Sequence, residues 1–169
     1  MRPLPADYAP SSEVYVSLVE TGDIRKIIAD SLSGLSAFLS AIPENKSEYA
    51  YAAGKWTTKQ VLQHTIDAEK VFAYRAMCIA RGEKQHLPGF DHDGYAEHAD
   101  VSGRSLEGLK EEMLLVRKLT IMLFEHLSDK ALNERGFAST HEVTTLALGY
   151  ILLGHWRHHE KILKEKYGV

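Results

Sequence analysis

The sequence predicts an all-α fold, a bundle of four helices. Four segments of roughly 20 residues repeat apolar side chains at steps of three and four, the spacing that draws one stripe along a helix. No segment of comparable length alternates apolar and polar residues as a half-buried strand does. Helices that each carry one apolar stripe must bury those stripes against one another.

The elements follow in order along one domain, residues 1–169. Residues 1–20 contain Pro3, Pro5 and Pro10 and no sustained period, so they read as an arm over the body of the fold, anchored by Tyr15, Val16, Leu18 and Val19. From Asp23 onward, Ile24, Ile27, Ile28, Leu32, Leu35, Phe38 and Leu39 make the first stripe, and Pro43 stops the helix. The second helix opens with a capping box, Thr57 as N-cap and Gln60 three residues on, with Trp56 and Val61 at the positions of a hydrophobic staple. It runs to about Arg81, and Gly82 is its stop. The third begins near Ser105, buries Leu109, Met113, Val116, Leu123 and Leu127, and ends near Ser128. A short polar segment containing Gly136 leads to the fourth, which starts around Thr144 and passes through Leu148, Leu152, His155, His159 and Ile162 towards Lys166, with Gly168 beyond. The link over residues 82–104 exceeds the about 2 to 8 residues usual between bundle helices, and loops of that length are often lids or binding loops.

Composition narrows the class. With 44% hydrophobic and 25% charged residues, neither disorder nor a fibrous fold is expected. A net charge of -3 argues against nucleic acid as a partner and favours a small or neutral ligand. Cys78 is the only cysteine, which excludes an intramolecular disulfide and a thiolate zinc cluster and suits a reducing cytosol. Residues Met1 to Val16 lack the pattern of a signal peptide, and no apolar run approaches the ~20 residues of a membrane span. The expected location is the cytoplasm, with no membrane partner.

Two apolar seams carry imidazoles where a plain bundle has aliphatics. The second helix presents Val61, His64, Ala68, Val71, Arg75 and Cys78, and the fourth presents Leu148, Leu152, His155, His159 and Ile162. A buried polar ring without a partner costs about 1 to 3 kcal/mol, and metal coordination supplies a reason for three of them. His155 and His159 project from adjacent turns of one face, and His64 can complete the set from the neighbouring helix. Three protein ligands leave a position open for water or substrate. Imidazoles suit zinc, nickel, iron and copper, so the donors alone leave the metal open. The plainer alternative is a set of core histidines among nine in the chain, with the four-residue spacing due to chance.

The segment from Trp56 to Glu69, with Thr57, Gln60, Val61, His64 and Asp67, and the segment Gly154-His155-Trp156-Arg157-His158-His159 resemble the DinB-like superfamily. The order of arm, four helices and a final double-histidine helix extends the resemblance over nearly the whole chain. It is similar in particular to the YfiT-like subgroup, described as metal-dependent hydrolases; other relatives are thiol-dependent S-transferases and a mycothiol-dependent isomerase. The resemblance implies an up-down-down-up four-helix bundle, a homodimer, and one divalent ion, zinc or nickel before iron or manganese, on His64, His155 and His159. In the S-transferases a low-molecular-weight thiol is a further cofactor. Where relatives often carry Glu, this chain has Gln60, which serves a capping box equally well.

Other positions carry two readings each. Asp67, one turn after His64, is either a group that orients a ligand or acts as a base, or a carboxylate on the helix surface. Arg75 either binds an anionic substrate or pairs with an acidic residue of a facing helix or subunit. Phe90, Asp91, His92, Asp93 and His98 form either a cover for the metal site or a solvated loop. His158, off the seam, is expected to face solvent, as are His126 and His141, and Cys78 is expected to be inert packing. Three functions remain: an enzyme that uses the metal to activate a thiol or water against a small electrophile, a non-catalytic metal-binding stress protein, and a helical interaction module without metal.

Overall fold

A computed structural model describes residues 1–169. Its helices are α1 (Glu13–Val16), α2 (Ile24–Ala41), α3 (Thr58–Ala80), α4 (His92–His98), α5 (Leu106–Glu125), α6 (Asp129–Leu132) and α7 (Thr145–Ile162), and α7 ends in a π-helical turn, Leu163–Tyr167. The long helices α2, α3, α5 and α7 are the four read from the periodicity. Each starts where a side chain satisfies a free backbone N–H of the first turn. Asp23 accepts from Arg25 N, Ser105 from Gly108 N and Thr144 from Ala147 N. The capping box at α3 is complete: Thr57 Oγ1 accepts from Gln60 N at 3.2 Å, and Gln60 Oε1 accepts from Thr57 N at 2.8 Å.

Cross-helix contacts fix the direction of each helix. Arg25 reaches the carbonyl of Leu127, Arg117 reaches Ser31, and Lys110 reaches the carbonyl of Ile42, so α2 and α5 are antiparallel. Lys59 binds the carbonyl of Arg104, and Glu69 binds Arg117, so α3 and α5 are parallel. Tyr167 binds the carbonyl of Trp56, and His64 meets His155, so α3 and α7 are antiparallel. The result is the up-down-down-up bundle. Because α3 and α5 are parallel neighbours, the chain from Arg81 to Ser105 must travel back along α3, a 23-residue helix roughly 34 Å long.

That return is not a bare loop, as the length of the link had implied. It contains α4 and β1 (His86–Leu87), and β1 pairs in parallel with β2 (Arg135–Ala138), which pairs antiparallel with β3 (His141–Thr144). This small sheet accompanies the expected four-helix bundle. Its strands have two to four residues, too short for an alternating pattern to show. The arm is seated as expected on Val16 and Val19, both fully buried, but Leu18 is exposed. Leu123 in α5 and Leu127 just beyond it are only half-buried, while Arg117, Thr120 and Phe124 take the interior positions. The stripe drifts because a buried ion pair, not an aliphatic, occupies the middle of this helix.

The interior has two apolar halves. One gathers the arm, Ile24, Ile28, Phe124 and the first half of α7; the other gathers Leu35, Leu39, Leu62, Ile66, Met113 and Trp156. Between them lies a polar waist: Arg117 Nε and Nη2 donate to the two oxygens of Glu69 at 2.7 and 2.8 Å, Nη1 donates to Ser31 Oγ, and Thr120 Oγ1 donates to Glu69. No helix is long and apolar enough to cross a membrane.

Candidate metal centre

α3 and α7 bring three imidazoles together beside this waist, near the end of the bundle where α3 begins. Each of His64, His155 and His159 offers a ring nitrogen, and these atoms lie within 4.8 Å of one another. His64 Nε2 and His155 Nε2 are 3.1 Å apart. Two nitrogens about 2.0–2.1 Å from a shared ion and 3.1 Å from each other subtend roughly 95–102° there, between octahedral and tetrahedral values. That pair therefore fits one divalent ion, and His159 offers a third ring nitrogen within 4.8 Å.

The electrostatics fit as well. Burial, reinforced by the neighbouring imidazoles, pushes His64 down to about 4, His155 to about 3 and His159 to about 2. At neutral pH all three are uncharged, the form that ligates a metal. Aromatic rings enclose them. Trp56 lies on His64 with ring centroids 4.8 Å apart, and the edges of Tyr15 and Phe72 meet His155 at 5.2 and 5.8 Å.

The other sequence candidates sit around this centre without hydrogen bonds to it. Asp67 is half-buried, accepts from Gln63 Nε2 at 3.0 Å, and lines a depression under α4 with Asp91, Tyr95 and His98. Burial pushes its carboxyl up. Gln63 continues to Arg104, and Arg104 and Lys70 both pair with Glu112, which makes a polar chain linking α3 to α5. Arg75 has no ion pair; its Nη2 donates to the carbonyl of Pro88 at 2.8 Å and so ties the return segment to α3. His158 is half-covered rather than open to solvent, because the edge of Tyr15 lies on it. His126 and His141 are exposed and Cys78 is partly buried.

The return segment does approach the site. The His92 ring lies 6.2 Å from His64 at the first residue of α4, a helix capped by Asp91, which accepts from Gly94 N. His98 is turned away and bonds the carbonyl of Gly94. Trp56, Tyr15 and Phe72 were not singled out as site residues from the sequence, although Trp56 stood out as a staple and Tyr15 as an anchor.

The class this defines is an up-down-down-up four-helix bundle in which two helices bring together three imidazoles that could hold a metal ion. The profile of the DinB superfamily matches residues 28–163, and the chain belongs to that superfamily. Among solved structures it is similar to YfiT from Bacillus subtilis, described as "a probable metal-dependent hydrolase with an unusual four-helix bundle topology", with a TM-score of 0.72 over 99% of this chain and 94% of that one. At 14% identity this likeness shows the shared fold. Among curated proteins none matches.

Proposed function

We propose that the chain is a metal-dependent enzyme that holds one divalent ion on His64, His155 and His159 and activates a thiol or a water against a small-molecule electrophile, as a thiol S-transferase or a hydrolase does. The observation that carries the reading is the convergence of three neutral imidazoles from two helices on one point. An ion bound there, zinc or nickel first, supplies Lewis acidity that brings a nucleophile's pKa towards neutrality. The chain's own residues do the rest. The histidines hold the ion with three donors and leave room for a further ligand. Trp56, Phe72 and Tyr15 exclude water from the ligand rings and fix their orientation. Asp67 and Arg75 act at one remove, Asp67 beneath α4 and Arg75 through the carbonyl of Pro88, by placing the segment that covers the site. A small-molecule substrate and a homodimer in a reducing cytoplasm belong to the same reading; the net charge of -3, the single Cys78, and the exposed stripe Leu115, Leu119 and Met122 on α5 support it.

The first test is metal content, by elemental mass spectrometry on untagged protein purified at neutral pH. The expected result is about one divalent ion per chain, and none in a folded variant with His64, His155 and His159 changed to Ala. A parent that is empty and takes up neither zinc nor nickel would overturn the reading. Turnover of thiols, esters or amides that survives removal of the metal would overturn the mechanism.

A further inference from the structure

A cavity of about 320 Å³ opens beside His159, between the segment that precedes α3, the end of α7 and α4. That volume falls at the lower end of small-ligand pockets. Its walls are Tyr51, Trp56, Val61, Ile162 and Tyr167. Two observations join it to the histidine cluster: His159 itself lines it, and Trp56 also lies on His64. The charged residues of the lining are Lys55 and Asp93, one of each sign, so the cavity presents no net charge to an occupant.

The aromatic wall is built rather than incidental. The buried Tyr167 donates its hydroxyl to the carbonyl of Trp56 at 2.7 Å, which satisfies the polar end of the ring. The Tyr51 ring meets Tyr167 edge-on at 5.2 Å. Tyr167 is the last residue of the π-helical turn, Lys46 Nζ donates to its carbonyl at 2.8 Å, and Gly168 follows at a φ of 66°.

We infer that this cavity binds an uncharged aromatic or bulky apolar group of the substrate, placing the reacting end of the molecule at the three histidines. The inference rests on the metal-centre reading and adds the substrate class to it. Tyr51, Trp56 and Tyr167 would then decide which substrates are accepted, while the histidines decide the chemistry.

The test compares acetohydroxamate with benzohydroxamate, which share a metal-chelating head and differ as methyl and phenyl, by calorimetric titration into the zinc-loaded chain. Burial of the phenyl group is expected to make benzohydroxamate at least about tenfold tighter. Tyr51 is 38% exposed, so Tyr51→Ala should leave the fold intact. That variant should lose most of the ratio while its affinity for acetohydroxamate stays unchanged. Equal affinities in the parent, or a ratio that Tyr51→Ala does not move, would overturn the pocket assignment and leave the metal centre standing. Failure of both compounds to bind the zinc-loaded chain would show that the ion offers no position to a substrate, and would overturn the catalytic reading and this inference with it.

Discussion

Burial is the largest cause of the low proton affinity of His64, His155 and His159, and it ties the stability of the metal-free chain to pH. An unfolded imidazole takes up a proton near pH 6.5, whereas these rings in the folded chain do so only near 4, 3 and 2. Below pH 6.5 the unfolded chain therefore binds more protons, and stability falls as pH drops from there towards the folded values. Each of the two most buried rings, His64 and His155, should contribute a loss of about 2 kcal/mol between pH 6.5 and 5. Urea unfolding of metal-stripped protein at pH 7.5 and pH 5 reads this directly, and a variant with His64 and His155 changed to Leu should show a flatter profile. Stability that does not change with pH would contradict the burial argument. The three histidines were legible because imidazoles one turn apart on an apolar seam are costly to bury unless a shared partner occupies their nitrogens. His92 was legible only as part of a loop, since its approach to His64 depends on how residues 82–104 fold. Arg75 and Asp67 were placed on the right helix, but their partners, the Pro88 carbonyl and Gln63, follow from the path of the return segment and the local rotamers.

Among the elements, the arm packs against α7 with no room for a side chain at Gly154. A Cβ at Gly154 would lie 2.1 Å from the carbonyl oxygen of Tyr15, so only glycine lets α1 come this close. The obstacle is backbone and cannot swing aside. Gly154→Ala should therefore destabilise the chain by about 1–3 kcal/mol. Because the Tyr15 ring also backs His155, the same change should weaken metal binding. Thermal unfolding and zinc titration of this variant check both effects, and parent-like values would show that the arm is not part of the site's support. The helices were legible because capping residues and the 3.6-residue period are local signals. The sheet was not, since His86 finds its partner Phe137 only through the tertiary fold. Its hairpin turns at Ser139, with a φ of 56°, where a glycine would have announced it.

At the scale of the whole molecule, the Glu69–Arg117 pair holds α3 parallel to α5 and divides the apolar interior. Breaking a buried pair leaves a charge with no partner, so Arg117→Met alone should cost about 3–5 kcal/mol, while Glu69→Leu with Arg117→Met should recover much of that loss. Denaturant titration of the two variants distinguishes this from simple loss of packing, which would make the double variant the worse of the two. An arginine in the middle of an amphipathic helix reads as surface, so the pair was invisible until the helices were set side by side. The parallel order has one more effect. Two neighbouring helices that point the same way oblige the chain to come back over the side of the bundle, and here it comes back past the histidines. The three clustered histidines belong to helices locked into the core, whereas His92 and Asp93 belong to this overlying return. Descendants of one ancestral bundle can thus diverge in what they admit by rewriting the exposed positions of this return, while the histidines stay fixed on the helices underneath.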